Sequence, residues 1–143
     1  MKNYLIILVT LISINVTAQY YTGERVFALK FPSEKSNLDN DTYVQINNSN
    51  LDLIVAIEDI SNGQVIQHAY IKAEDSYKFT NIPVGSYVCK YMWTDKNGNK
   101  NFQKDDSYLV YKKDEVGGYE ITMQKSVSGN LSQSKISETD FFN

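Results

Sequence analysis

The chain has 143 residues, and 14 lysines and arginines against 17 aspartates and glutamates give it a formal net charge of −3. Its basic residues are scattered, so it lacks the electrostatic footprint of a nucleic-acid-binding protein. The mild acidity also argues against binding to anionic lipid. A single cysteine, Cys89, excludes an intrachain disulfide, so the fold must be stabilised by its hydrophobic core.

Residues 1–18, MKNYLIILVTLISINVTA, have the parts of a secretory signal peptide. Lys2 supplies the positive charge, Tyr4–Ile14 is an apolar run, and Val16-Thr17-Ala18 offers small residues for cleavage after Ala18. The run is shorter than the roughly 20 residues that span a bilayer, and no later segment is long and apolar enough to cross one. We therefore expect an exported protein, periplasmic or extracellular, without a transmembrane segment after signal removal. The short charged region and the Ala-Gln junction resemble those of bacterial envelope proteins.

Alternation of apolar and polar residues predicts strands along the rest of the chain. The candidates are Arg25–Phe31, Thr42–Ile46, Leu51–Glu58, Val65–Lys72, Tyr77–Thr80, Ser86–Trp93, Ser107–Tyr111 and Tyr119–Lys125. Turn sequences separate them, among them an Asn-Gly hairpin signal at 62–63 and a Pro-x-Gly turn at 83–85. Short strands at turn intervals of about 8–12 residues predict an all-β fold, a single antiparallel Greek-key β-sandwich of about seven strands. An open barrel is the alternative.

The same alternation predicts which side chains point into the core. In Ser86–Trp93 we place Lys90 in water, which puts the residues of the other phase inside. The predicted inward sets are Phe27, Leu29 and Phe31; Leu53, Val55 and Ile57; Val65, Ala69 and Ile71; Tyr77 and Phe79; and Tyr87, Cys89, Tyr91 and Trp93. A thiol buried in a strand is also expected to be unreactive.

Composition divides the chain into a signal peptide (1–18), a sandwich domain (19–125) and a polar tail (126–143). The tail is rich in Ser, Asn, Gln and Lys, and we expect little order in it before Phe141-Phe142. Ser137-Glu138-Thr139-Asp140 fits the capping pattern of a helix start. The two phenylalanines either fold back on the domain, which we rank first, or dock on another protein.

Several short patterns lie between Asp52 and Trp93. An Asp-x-x-Asn-Gly turn (Asp59–Gly63) precedes a strand with the small residue Ala69, an aromatic strand follows at 77–79, and Ile82–Tyr87 reads Ile-Pro-x-Gly-x-Tyr. With these features the segment resembles the transthyretin-like, carboxypeptidase-regulatory-like sandwich domain, and more loosely collagen-adhesin B-type repeats. The resemblance implies a non-catalytic scaffold and covers less than half of the mature chain.

The sequence departs from that family in three respects. Ala73-Glu74-Asp75-Ser76 replaces the usual glycine-containing turn, and the chain after Trp93 has no counterpart. The lysine–asparagine isopeptide crosslink that adhesin-type repeats often carry finds no matching residues.

His68 is the only histidine and therefore the one candidate histidine base for nucleophilic catalysis. Its mid-strand position, opposite in phase to Ala69, predicts a water-facing side chain without catalytic partners. Carboxylates are plentiful, and we interpret them as solvated edge and loop residues, since sequence spacing does not identify a catalytic pair. The interchangeable candidates are Asp52, Glu58, Asp75, Asp105 and Asp106. We predict no catalytic residues, and hence no enzyme.

Asp95, Asn97 and Asn99, followed by Asp106, have a spacing similar to that of an EF-hand calcium loop. Lys100 stands where that loop requires glycine, and strands rather than helices flank it. We therefore interpret Thr94–Asn101 as a solvated hairpin loop, and we predict no metal and no cofactor.

Tyrosine is unusually common, with 11 residues. We expect them to fill the sandwich core; the alternative is that several are exposed with Trp93 on one face, where they would stack on sugars or contact a protein. We expect a non-enzymatic, exported accessory or protein-interaction module of the cell envelope whose partner is another envelope or extracellular protein. A carbohydrate- or surface-polymer-binding module is the alternative.

Overall fold

A computed structural model describes residues 19–31, 34–49, 51–123 and 132–143; the predicted signal peptide lies outside them. Within these ranges the fold is all-β, and no helix is long and apolar enough to cross a membrane. The elements are β1 (Thr42–Asn48), β2 (Leu53–Asp59), β3 (Gln64–Ile71), β4 (Ser76–Thr80), β5 (Gly85–Thr94), β6 (Lys100–Asp105), β7 (Leu109–Tyr111), β8 (Gly117–Met123), β9 (Gln133–Lys135) and α1 (Glu138–Phe142).

The strands form two sheets, as a sandwich requires. The smaller has the order β4-β1-β8, and the larger has the order β3-β2-β5-β6-β9. β5 is long enough to pair with β7 near its start and with β6 near its end. β1 and β8 are parallel, so the prediction of a purely antiparallel fold is wrong for this pair. The described residues hold nine strands rather than about seven.

The main hydrophobic core lies between the two sheets. Phe79 and Ile121 enter it from the smaller sheet, and the predicted inward residues of β2 and β5 other than Trp93 enter it from the larger one. Tyr77 and Trp93 are partly buried against this core. Period-two alternation therefore identified the inner face of these strands.

The Ile-Pro-x-Gly-x-Tyr pattern has a structural explanation at the start of β5. The Tyr87 hydroxyl donates a hydrogen bond to the Pro83 carbonyl over 3.0 Å. A Cβ at Gly85 would lie 2.8 Å from the Tyr87 Oη. Glycine is therefore needed here so that the tyrosine ring can fold back onto its own turn.

The outer face of the larger sheet is also buried. It lies beneath two terminal segments, the N-terminal segment (residues 19–31) and the C-terminal segment (residues 132–143). Ala56 and Met92 alternate with the inner-face residues of β2 and β5, and they pack with Phe31 and Phe141 in a second apolar cluster. The larger sheet thus has a core on each side, and its strands β2 and β5 carry apolar residues in both phases.

The predicted strand Arg25–Phe31 is wrong. This segment makes consecutive turns, in which the Ala28 amide donates to the Arg25 carbonyl (3.2 Å) and the Lys30 amide donates to the Phe27 carbonyl (2.9 Å). Leu29 is fully exposed, whereas Phe31 is buried. These turn hydrogen bonds join residues within the segment, so its backbone does not pair with a sheet here. The apolar alternation belongs instead to a segment that covers the outer face of the larger sheet.

Two predicted side-chain directions are also wrong on the outer face. A β-bulge opposite Ile57 and Glu58 shifts the phase of β3, and Val65 therefore joins the second cluster while Ala69 and Ile71 stay in the main core. Lys90, predicted to face water, is only 4% exposed. As predicted, Lys90 lies on the opposite side of β5 from the inter-sheet core. It is nevertheless buried, because the C-terminal residues cover that outer face.

The described part of the predicted tail, 132–143, is structured, so the expectation of little order is wrong for these residues. β9 pairs antiparallel with β6, and Asp106 accepts hydrogen bonds from the hydroxyls of Ser132 and Ser134. Ser137 caps α1 in a capping box with Asp140, as the sequence predicts. Phe141 is fully buried, which confirms that the phenylalanine pair folds back on the domain.

Candidate binding groove

An open groove of about 850 Å³ lies on the outer face of the larger sheet. Ile54 and Met92, paired in register on β2 and β5, supply its apolar floor. Further lining residues are Tyr20, Val26 and Phe27 of the N-terminal segment, Tyr70 of β3, and Leu51, Asp52, Trp93 and Lys100. The groove is thus the part of the second apolar layer that the two terminal segments leave open.

The N-terminal wall of the groove is fixed by backbone pairing to the edge of β3. The Gly23 amide donates to the Tyr70 carbonyl over 2.8 Å, and the Tyr70 amide donates to the Glu24 carbonyl over 2.9 Å. The Tyr20 and Tyr70 rings lie 5.5 Å apart at a tilt of 59°. This pairing blunts the free edge of β3 and presents aromatic surface to the groove.

Polar groups line the groove beside its apolar floor. The Tyr70 hydroxyl lies near the Asp52 carboxylate, and burial, followed by interaction with this carboxylate, raises the pKa of the phenol. Asp52 also accepts the Ala73 amide over 3.0 Å, which fixes its orientation. Lys100 forms an exposed ion pair with Glu138 of α1 over 3.5 Å. Apolar surface with a few polar groups of defined orientation is typical of a binding site.

His68 lies beneath the N-terminal segment and is only 2% exposed, so the predicted water-facing position is wrong. Its Nε2 accepts the Phe27 amide over 3.2 Å, and its ring lies 4.8 Å from the Phe31 ring. Burial, with a smaller contribution from the Arg25 cation, lowers the pKa of His68 to about 4. The imidazole is therefore neutral at pH 7, and its acceptor nitrogen is already occupied by a structural bond.

The four residues of the possible calcium loop do not form one ligand set, because Asp106 lies apart from the other three. Asp95 accepts the amides of Asn97 (2.8 Å) and Asn99 (2.9 Å), and so closes the β5–β6 hairpin. Asp106 follows the other end of β6 and binds the serines that flank Gln133. The hairpin interpretation therefore describes this loop, and nowhere in the described ranges do three or more His, Cys, Asp or Glu residues cluster as metal ligands would.

The candidate carboxylates hold separate structural contacts instead of forming one site. Glu58 forms an ion pair with Lys90, and Asp75 accepts the Thr22 hydroxyl over 2.6 Å. Asp105 is buried, where it accepts the Tyr91 hydroxyl (2.7 Å) and the Gln133 amide (3.0 Å). Burial raises the pKa of Asp105 despite both bonds.

The tyrosines divide between core and surface. Tyr87, Tyr91 and Tyr111 fill the core, whereas Tyr20, Tyr21, Tyr108 and Tyr119 are exposed. Sequence reasoning missed the groove floor of Ile54 and Met92. The available signal was that β2 and β5 carry apolar residues in both phases, a pattern typical of a strand covered on both faces.

Comparison of the chain with protein-family models, with curated proteins and with solved structures yields no match.

Proposed function

We propose that the protein is a non-enzymatic, exported binding module that contacts another envelope or extracellular protein through the groove. The observation that carries this proposal is the open groove above half-buried Ile54 and buried Met92, on a sheet face that both terminal segments otherwise cover. Apolar surface in a concave site is stabilised when a partner side chain displaces its water.

The composition of the groove favours a protein partner. An exposed aromatic side chain such as Tyr20 buries a large area at low entropic cost, and such residues are enriched at interaction hot spots. Leu51, which is 41% exposed, extends the apolar surface. Asp52 and Lys100 supply one group of each charge for polar contacts, in keeping with the polar rim of protein interfaces.

The proposal also includes three predictions made from the sequence. They are export of the protein, a Greek-key order of its strands, and membership of the transthyretin-like family of scaffold domains. Two placements support the resemblance: Asp59–Gly63 contains the β2–β3 hairpin turn, and Ile82–Tyr87 leads into β5. The engagement of His68 by the Phe27 amide supports a role without catalysis. None of the candidate acids is held near His68 as an orienting partner, which nucleophilic catalysis would need.

Site-specific photo-crosslinking in the producing cells tests this proposal. A benzophenone side chain is placed in turn at Tyr20 and Leu51, which are 44% and 41% exposed at the groove. Leu38 and Val116, which are 83% and 75% exposed away from the groove lining, are the matched controls. We expect one protein adduct from both groove positions only. Adducts at the control positions alone, or the same adducts at all four positions, would contradict it.

A glycan is the second candidate ligand, because the Tyr20 ring is exposed next to Tyr70 and the oriented Asp52 carboxylate. Such a surface can stack on a sugar and accept its hydroxyl protons. Trp93 lines the groove and is the only tryptophan, so its fluorescence reports on binding. Soluble cell-wall oligosaccharides should change this emission in the wild type and in Tyr108→Ala, but not in Tyr20→Ala. No change in the wild type would exclude this candidate for the glycans tested.

A further inference from the structure

The C-terminal residues 132–143 occupy a well-defined position, here called the tail seat, on the larger sheet. Phe141 is fully buried there, with its ring 5.5 Å from that of Phe102 and 6.1 Å from that of Phe31. The buried Lys90 ammonium donates to the main-chain oxygens of Asp140 and Asn143. A lysine at the end of a helix satisfies carbonyl groups that have no partner within the helix.

The tail seat and the groove form one continuous surface. Met92 belongs to the apolar cluster around Phe141 and also lines the groove. Phe27 does the same from the other side, since it lines the groove and its ring lies 4.9 Å from that of Phe142. The helix α1 therefore covers the continuation of the groove floor.

The regular elements that hold the tail are short. β9 pairs with β6 over three residues, and α1 has five residues, of which only Phe141 is buried. A three-residue edge strand and a five-residue helix anchored by Phe141 and Phe142 are stable in the folded chain because they are tethered to it. A separate peptide segment that binds the same surface more tightly than the tail does can therefore shift the population towards chains with an undocked tail.

We propose that the tail seat is an exchangeable peptide-binding site, and that the segment it receives in trans is a partner peptide with an aromatic anchor on a short capped helix. This inference rests on the proposed function and specifies its partner. The chain's own tail shows which chemistry the surface accepts: a ring in the socket between Phe31 and Phe102, and main-chain oxygens on Lys90. Undocking of α1 would join the seat to the groove and lengthen the binding surface.

Fluorescence anisotropy with a labelled peptide of residues 132–143, SQSKISETDFFN, tests the exchange on the full chain. In Phe141→Ala the seat has lost its own anchor, so we expect this chain to bind the peptide at least about tenfold more tightly than the wild type does. Asp140→Ala removes the capping partner of Ser137 and leaves the sheet intact. It provides a second opened chain should Phe141→Ala fold poorly.

The matched control is the same peptide with its Phe141 replaced by alanine, which should not bind any of the chains. Equal binding of the native peptide to the wild type and to the opened chains, or no binding to either opened chain, would overturn the inference. So would binding that is indifferent to the phenylalanine of the peptide. Because the crosslinks at Tyr20 and Leu51 do not depend on this peptide, failure of the exchange and failure of the groove proposal are distinguishable.

Discussion

Lys90 and His68 are buried polar residues, and each holds one terminal segment on the outer face of the larger sheet. Lys90 binds Glu58 and the main-chain oxygens of the tail, whereas His68 accepts the Phe27 amide of the N-terminal segment. Burial of such groups costs free energy unless they are hydrogen-bonded or paired. Lys90 meets this condition, whereas His68 meets it at Nε2 only, and its buried Nδ1 has no partner among the described residues. Both residues should therefore be sensitive reporters of how the terminal segments are attached.

Replacement of Lys90 by methionine should destabilise the protein by about 3 kcal/mol, because it leaves Glu58 without its cation in a mostly buried position. The double variant Lys90→Met/Glu58→Gln should recover part of this loss, since it removes the uncompensated charge. Urea unfolding followed by circular dichroism measures both, with the exposed Lys96→Met as control. A Lys90→Met chain as stable as the control would contradict the buried ion pair.

Stability should depend on pH through His68. Its pKa is about 4 in the folded state against 6.5 for the free side chain, so the unfolded chain binds more protons between these values. The contribution of neutral His68 is fully present above the unfolded pKa and declines as the pH falls towards the folded one. Between about pH 7 and pH 5 the wild type should lose about 2 kcal/mol more than His68→Gln. Parallel pH profiles for the two chains would show that His68 is not buried as described.

At the scale of elements, hydrophobic alternation was sufficient where one face of a strand meets the main core. It placed Leu53, Val55 and Ile57 correctly because their phase is set by local pattern alone. It was insufficient on the outer face, where the cover comes from segments distant in sequence. It also predicted a strand at Arg25–Phe31, and it missed β6 and β9 because those strands are mostly polar.

The parallel pairing of β1 with β8 should depend on Gly118. A Cβ at this position would collide with the Tyr43 carbonyl oxygen, and backbone atoms paired in a sheet cannot easily move away. We expect Gly118→Ala to destabilise the protein by about 3 kcal/mol or more. Gly98→Ala is the control, because its space is open and only its positive φ of 84° carries a cost, about 1 kcal/mol. Equal melting temperatures for the two variants would contradict the register of β1 and β8.

At the scale of the whole molecule, two apolar layers flank the larger sheet, and Cys89 lies in the layer between the sheets. Burial raises the pKa of its thiol, so the thiolate that reacts with alkylating agents is scarce in the folded state. Modification of Cys89 by iodoacetamide should therefore require global unfolding, and its rate should rise with urea in parallel with the unfolded fraction. Rapid modification without denaturant would show that the inter-sheet core is open.

The groove and the tail seat both depend on the meeting of the two terminal segments over the larger sheet. Nuclear Overhauser effects between the ring protons of Phe27 and Phe142 test this most directly, since their ring centroids lie 4.9 Å apart. We predict clear cross-peaks between these rings, and between the Lys30 side chain and Phe142, whose ring centroid lies 3.9 Å from the ammonium nitrogen. Absence of all such cross-peaks, with random-coil shifts for residues 137–143, would contradict the account.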